Sequence, residues 1–283
     1  MSQKTLLSFG HGYSAQALTD LLMPLGWRVL GTTRSPDKAE KLQETGVEPL
    51  LWPGTDLSRY LAEADAVLVS AAPGPDGDVV LAEYADVIAA RADRLSWVGY
   101  LSTTGVYGDH GGRWVDETTP LNPSTKRGRA RVEAEAAWQQ IPGLPLHIFR
   151  LAGIYGPGRG PFSKVRAGTA RRIIKEGQVF SRIHVEDIAQ VLEASLRQPN
   201  PGAIYNLCDD DPAPPQDVIG YAAELLGLPP PAVEDFEMAE MTPMARSFYA
   251  ESKKVRNDKI KEELGVVLKY PDYRTGLQAM LEA

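Results

Sequence analysis

The chain has 283 residues, of which 43% are hydrophobic and 24% are charged, a composition typical of a globular protein with a packed core. This length accommodates one large α/β domain, or one domain with a small cap. Because 30 basic and 37 acidic residues give a net charge of −7 and form no basic stripe, neither a nucleic acid nor an anionic membrane is an expected partner.

Up to residue 151, short apolar runs alternate with single helical patterns. Six runs are predicted to be strands: Thr5–Phe9, Trp27–Thr33, Val47–Trp52, Ala66–Ser70, Trp97–Ser102 and Leu146–Leu151. Helices are predicted at residues 17–25, 35–44, 79–92 and 129–140. Because single helices separate these strands, we expect right-handed crossovers and a parallel sheet. The predicted fold class is α/β, a Rossmann-like doubly wound parallel sheet with a smaller C-terminal substrate or cap domain.

After Leu151 the chain becomes loop-rich, with glycine and proline clusters between helices predicted near residues 185–196, 216–226 and 258–264. We assign residues 1–151 and 183–207 to the dinucleotide-binding domain. Residues 152–182 and 208–283 are assigned to the smaller cap. The cap is expected over the carboxyl ends of the strands, where doubly wound sheets bind their ligands.

The sequence gives only general indications of the cellular compartment of the protein. The single cysteine, Cys208, excludes an intrachain disulfide and fits a reducing environment. Residues 1–4 lead directly into an apolar strand, without the apolar run of a signal peptide, and no segment is long enough to span a bilayer. We therefore predict a cytoplasmic location. No metal site is predicted from the sequence.

The most informative motif follows the first strand and precedes a helix. Residues 10–15 match the pattern G-x-G-x-x-A, in which Gly10 permits a tight turn and Gly12 lets the backbone approach a pyrophosphate. The unpaired N–H groups and the dipole of the helix N-terminus favour that anion. We therefore predict a dinucleotide site, with a plain glycine turn as the alternative. Its loop residues are Gly10, His11, Gly12, Tyr13 and Ser14.

The end of the second strand bears on the choice of cofactor. NAD sites usually carry an acidic residue there to hold the ribose 2′-hydroxyl. This chain has Thr33, Arg34 and Ser35 instead. The guanidinium of Arg34 can pair with a 2′-phosphate, and the two hydroxyls can donate to it. NADP is therefore predicted in preference to NAD, and the alternative is that Arg34 is a solvated loop charge.

Several later segments resemble segments of one known protein family and occur in the same order as in that family. They are residues 100–109, 116–120, 150–159, 182–188 and 204–207. Together they resemble the extended short-chain dehydrogenase/reductase family, which includes nucleotide-sugar epimerases and dehydratases. The resemblance implies a Rossmann-like domain with a discontinuous substrate domain. It also implies a catalytic hydroxyl at Thr103, when the chain is aligned on Val106-Tyr107-Gly108.

The same resemblance extends to the cofactor wall. Ala71, Ala72 and Pro73, which follow the fourth strand, would line the path from adenosine to nicotinamide. Asp56 and Leu57 would flank the adenine.

The Tyr-x-x-x-Lys pair of the family is missing. When the helix is aligned with the family on Gly128 and Glu135, Arg127 replaces the tyrosine and Arg131 replaces the lysine. Arginine cannot serve as a general acid or base because its pKa lies above ~12, although Arg131 can still hold the nicotinamide ribose. A literal match at Tyr249 and Lys253 lies outside the motif's context. The pattern resembles the atypical subgroup of the family.

Two functions are compatible with these residues. The first is an NADP-dependent oxidoreductase or epimerase that acts on a small polar, sugar-like substrate, with Tyr107, Tyr155 or His184 as replacement acids. Each of these three lies in a family motif where a packing role is the ordinary explanation. The second is a sensor that binds NADP(H) without turnover. A homodimer is an expectation from the family alone.

Overall fold

The computed structural model describes residues 3–282, so residues 1, 2 and 283, at the ends of the predicted domains, lie outside the description. The strands are β1 Thr5–Phe9, β2 Arg28–Thr33, β3 Glu48–Leu51, β4 Ala66–Val69, β5 Trp97–Thr103, β6 Trp114–Val115, β7 Leu146–Leu151, β8 Gly153–Tyr155, β9 Arg172–Ile174, β10 Arg182–His184, β11 Ile204–Leu207, β12 Val233–Asp235 and β13 Lys254–Val255.

The helices are α1 Tyr13–Leu22, α2 Pro36–Glu44, α3 Ser58–Glu63, α4 Leu81–Ala89, α5 Lys126–Gln139, α6 Phe162–Arg166, α7 Val185–Arg197, α8 Pro215–Leu225, α9 Pro243–Phe248, α10 Asp258–Leu264 and α11 Tyr273–Glu282. Two 3₁₀ turns occur at Met23–Leu25 and Thr104–Tyr107. None of the described helices is both long and apolar enough to cross a membrane.

Seven parallel strands form the main sheet, in the order β11-β7-β5-β4-β1-β2-β3. The Rossmann-like prediction is confirmed, and all six predicted strands lie in this sheet. The strand order reverses between β1 and β4, and a doubly wound sheet binds its ligands at such a reversal. The three remaining strand pairs are short and parallel: β10 with β8, β12 with β9, and β13 with β6.

Helices cover both faces of the sheet, so its central strands are buried apolar runs, as a parallel sheet requires. On one face, Leu18 of α1 packs in a core with Ile188 and Leu192 of α7. On the other face, Ile88 of α4 and Trp138 of α5 complete a second core. The apolar spacing in these helices is therefore explained by burial against the sheet.

The second half of the chain divides between two cores. A small cap core forms where α6, α8 and α11 meet, around Phe162, Ala222 and Leu277. Ile260 and Leu264 of α10, which the sequence assigned to the cap, instead join the core of the main sheet. The apolar spacing of α10 predicts a buried face, but it contains no information about which core that face joins.

A buried ion pair fixes α5 to the sheet. Glu135 Oε2 lies 2.7 Å from Arg150 Nη2 of β7, and the side chains are 3% and 4% exposed. Ser102 of β5 donates its hydroxyl to Glu135, and Arg150 also donates to the Tyr107 hydroxyl at 3.0 Å. Every charge in this group therefore has a partner, as burial demands.

Arg150→Met is expected to lower the free energy of unfolding by about 3–5 kcal/mol, because it leaves the Glu135 carboxylate buried without its guanidinium. Urea unfolding measures the change. The matched control is Arg197→Met, which breaks an exposed pair with Glu193 and is expected to cost under about 0.5 kcal/mol. Equal losses in the two variants would contradict the prediction.

Candidate dinucleotide and active site

The loop between β1 and α1 requires its two glycines for different reasons. Gly10 has a φ of +72°, and a Cβ there would lie 2.8 Å from the backbone nitrogen of Ala71. Gly12 has an ordinary φ of −119°, and a Cβ there would contact only the Gly10 carbonyl, at 3.5 Å. Gly10 therefore allows the chain to turn against β4, whereas Gly12 leaves open space beside the backbone.

The N-terminus of α1 is free to bind an anion. Within residues 3–282, no side chain caps it and no acidic residue lies in its first turn. The loop before it is held on both sides. Gly10 N–H donates to Thr32 Oγ1 at 2.7 Å, and Ser70 Oγ donates to the Gly10 carbonyl at 2.9 Å. The residues present therefore form a rigid cradle of the kind that holds a pyrophosphate.

The loop side chains point away from that cradle. His11 is buried against Gly31 of β2, and burial lowers its pKa to about 4, so the neutral ring is a packing group. Tyr13 extends to the opposite side, where its hydroxyl donates to the Pro157 carbonyl at 2.9 Å. Ser14 is buried at the start of α1. These three residues line the loop through their backbone.

At the end of β2 the structure leaves one cation without a partner. Thr33 Oγ1 accepts the N–H of Ser35 at 3.3 Å, and Ser35 Oγ caps α2 by accepting the N–H of Lys38 at 3.3 Å. Arg34 is exposed and has neither a hydrogen bond nor an ion pair with any described residue. Its guanidinium is therefore available to a ligand at this edge.

The residues predicted to flank the adenine and to form the wall next to β4 have the following surroundings. Asp56 lines a cleft of about 390 Å³ together with Glu83 and Tyr84, whereas Leu57 is fully buried beneath it. The wall continues along the backbone from the Ala71 N–H, which donates to the Phe9 carbonyl at 3.1 Å. Ala72 is exposed, and Ala71 and Pro73 are half-buried.

Thr103 is the last residue of β5 and is half-buried. Its Oγ1 accepts the N–H of Gly105 at 3.1 Å, which leaves the hydroxyl proton free to donate. The first turn of α5 lies directly against this position, because a Cβ on Gly128 would be 2.8 Å from the Gly105 carbonyl.

The two arginines of α5 have different surroundings. Arg131 Nη1 donates to the Leu101 carbonyl at 2.8 Å and to the Tyr100 hydroxyl at 2.9 Å, so its guanidinium is held at the end of β5. Arg127 is exposed and reaches α9, where its guanidinium carbon lies 4.9 Å from the centre of the Phe248 ring. Arg131, predicted to occupy the family's lysine position, is therefore held by two hydrogen bonds, whereas Arg127, predicted to occupy the tyrosine position, is exposed.

The three candidate replacement acids lie in packed surroundings. The Tyr107 hydroxyl donates to Asn206 Oδ1 at 2.7 Å, and burial raises its pKa to about 12. Burial also raises the pKa of Tyr155, which donates to the Asp272 carbonyl at 3.3 Å. Burial lowers the pKa of His184 to about 4, so this ring is neutral near pH 7. These contacts favour packing roles for all three.

The literal Tyr-x-x-x-Lys match does not form one helical face, because α9 ends at Phe248. Tyr249 packs on Phe180 with ring centres 5.8 Å apart. Lys253 is buried elsewhere, where its Nζ donates to the Gly108 carbonyl at 2.8 Å and to Glu251 at 2.7 Å. What the sequence does not show is the contact of α9 with Arg127, since no motif marks that helix.

The cradle, the strand order and the position of Thr103 define an NAD(P)-binding fold of the epimerase/dehydratase type. The chain belongs to the NAD dependent epimerase/dehydratase family, whose sequence pattern matches residues 9–208. It is 32% identical to Protein YeeZ of Escherichia coli K12 over 282 residues, which cover 95% of this chain and 97% of that protein.

Solved structures share this fold. A conserved protein of unknown function from Silicibacter pomeroyi is 65% identical, with a TM-score of 0.96 and 99% of each chain covered. The human epimerase family protein SDR39U1, solved with NADPH, is 19% identical with a TM-score of 0.78, and 99% of each chain is covered. A Bacillus anthracis dTDP-glucose 4,6-dehydratase, solved with NAD, is 17% identical with a TM-score of 0.79, covering 99% and 96%.

Gly12→Ala is expected to weaken dinucleotide binding at least about tenfold, because the added methyl group occupies the cradle. Its cost in stability should stay under about 1 kcal/mol, because the backbone at residue 12 is unstrained. Cofactor titration and thermal unfolding of the same samples measure the two effects.

The matched control is Gly26→Ala, where φ is +84° and no atom lies within 4 Å of the new Cβ. That variant should lose stability by about 1–2 kcal/mol and keep its affinity. Undiminished affinity in Gly12→Ala would place the dinucleotide elsewhere.

Proposed function

We propose that this protein is an NADP-dependent oxidoreductase acting on a small polar molecule that carries a carbonyl or an alcohol. The observation that carries the proposal is the position of the Thr103 hydroxyl at the end of β5, beside the first turn of α5, where Oγ1 accepts the Gly105 N–H and its proton is available to a substrate. A hydroxyl there can donate to a substrate oxygen and stabilise negative charge on it.

The cradle supports a bound nicotinamide cofactor, which would supply or accept a hydride. Gly10, Gly12 and the N-terminus of α1 would hold its pyrophosphate. Family members of similar fold are solved with NADPH and with NAD, so the choice between them rests on this chain's own residues. Arg34 favours the phosphorylated cofactor, since it is an unpartnered guanidinium where NAD sites usually carry an acid.

The residues of α5 make the proposed mechanism different from the usual mechanism of the family. Arg131, bound to the Leu101 carbonyl, supplies a fixed positive charge at the lysine position. Arg127 cannot release a proton, so the proton that neutralises the substrate oxygen comes from solvent in this proposal. Cytoplasmic location remains part of the proposal.

A second function, an NADP(H) sensor without turnover, is favoured by one observation. The family's tyrosine is replaced by Arg127, and Tyr107 and Tyr155 direct their hydroxyls into packed surroundings. Under this alternative the protein binds the cofactor with the same residues and converts no substrate.

Arg34→Ala is expected to weaken NADPH binding about 10- to 100-fold, because a charge-assisted pair with the 2′-phosphate is lost. NADH affinity should not change, since NADH lacks that phosphate. Fluorescence titration with both cofactors measures the ratio, and Arg94→Ala, at another exposed arginine, is the control. If both cofactors lost affinity equally, the NADP assignment would be wrong.

Thr103→Val is expected to lower kcat about 10²- to 10³-fold with the cofactor Kd unchanged, since one donor to the substrate oxygen is removed. Thr103→Ser retains the hydroxyl and should keep most of the activity. Steady-state kinetics over a panel of carbonyl substrates measure both variants. Turnover that survives in Thr103→Val would remove Thr103 from the reaction, and NADPH binding without turnover on the whole panel would favour the sensor.

A further inference from the structure

Helix α9 has an unusual surface for so short an element. None of its six residues, Pro243–Phe248, is buried. Met244 is 60% exposed and Phe248 is 52% exposed, so two large apolar side chains face solvent one turn apart. Scattered apolar residues on a surface need no explanation, but both of these lie close to the same cation at the candidate active site.

That cation is Arg127. Its Nη1 lies 3.9 Å from Met244 Sδ, its Nη2 lies 3.5 Å from Ser247 Oγ, and its guanidinium carbon lies 4.9 Å from the Phe248 ring centre. These are long contacts with neutral groups. No described carboxylate lies within ion-pair distance of Arg127, although acidic residues outnumber basic ones in this chain.

Some arginines of the described residues are matched with acids, and others, such as Arg34, are not. Arg28 pairs with Glu48 and Arg171 pairs with Glu234. Arg127 therefore combines an uncompensated charge with an apolar wall at one place. A ligand complementary to both has an anionic group and an apolar group.

Arg127 lies in the first turn of α5, next to Gly128. Gly128 packs on Gly105, so the first turn of α5 and Thr103 belong to the same end of the sheet. A guanidinium fork binds a carboxylate bidentately, and Thr103 can donate to an oxygen on a neighbouring carbon.

We propose that the substrate is a 2-oxo carboxylic acid, or the corresponding 2-hydroxy acid, with an aryl or alkyl side chain. Arg127 binds its carboxylate, Thr103 donates to the C2 oxygen, and Met244 and Phe248 pack on the apolar side chain. This inference rests on the proposed function. It replaces the sugar-like substrate that the family resemblance suggested.

The reaction balances with the proposed cofactor. In the reducing direction, C2 of the 2-oxo acid gains a hydride from NADPH, and the C=O π pair moves onto the C2 oxygen. That oxygen takes one proton from solvent. The products are the 2-hydroxy acid and NADP⁺.

The test uses the full chain and separates ligand binding from turnover. Calorimetry with NADP⁺ present measures the Kd of 3-phenylpropionate, an unreactive acid, and of its neutral amide. NADPH oxidation is followed with phenylpyruvate and with pyruvate. The acid is expected to bind at least tenfold more tightly than the amide, and phenylpyruvate is expected to have a lower KM than pyruvate.

Two variants test the two halves of the proposed site. Arg127→Met is expected to weaken 3-phenylpropionate binding about 10- to 100-fold, because the guanidinium fork is lost. Phe248→Ala should weaken 3-phenylpropionate about tenfold and leave pyruvate nearly unaffected. Arg129→Met, at an exposed arginine on the same helix, controls for general charge effects and should leave both unchanged.

The outcomes are distinguishable. Equal affinity for acid and amide, or an unchanged affinity in Arg127→Met, overturns the carboxylate site while NADPH binding by the wild type keeps the proposed function intact. Absence of NADPH binding overturns the proposed function, and this inference with it. Turnover of a neutral carbonyl substrate with no binding of the acid overturns the substrate class alone.

Discussion

The buried ion pair between Glu135 and Arg150 is the contact on which the candidate active site depends. It joins α5 to β7 at 2.7 Å, and Ser102 of β5 donates to the same carboxylate. Helix α5 cannot slide along the sheet without leaving a charge buried and unpaired, which costs several kcal/mol. Arg131 and Arg127, one and two turns before Glu135 on this helix, are therefore delivered to the end of β5 beside Thr103.

The phosphate cradle is built by a different constraint, the close approach of β1 to β4. Gly10 fits against Ala71 because it has no side chain, and its positive φ turns the chain into α1. The cradle and α5 are thus held by independent contacts in one scaffold. The scaffold can keep its dinucleotide site while the residues at the tip of α5 change, so the fold alone does not determine the reaction.

Sequence patterns were sufficient to predict those parts of the structure that depend on neighbouring residues in the chain. Buried strands are continuous apolar runs, and the cradle is a six-residue motif, so both were predictable. Contacts between distant residues were not: the Tyr107 hydroxyl finds Asn206 at a separation of 99 residues, and Arg127 meets Met244 at a separation of 117. Helix α9 is six residues long and buries none of them, so it has no periodic apolar face that a sequence pattern could reveal.

If Arg127 stands where the family has its tyrosine, as the sequence alignment predicts, the site loses its usual proton donor. The guanidinium of arginine does not act as a general acid or base in proteins. Burial raises the pKa of Tyr107 to about 12 and lowers that of His184 to about 4, and the Tyr107 hydroxyl is engaged with Asn206. In the proposed reaction at Thr103 the proton therefore comes from water. The exposure of Met244 and Phe248 on α9, beside Arg127, is consistent with access of water to this proposed site.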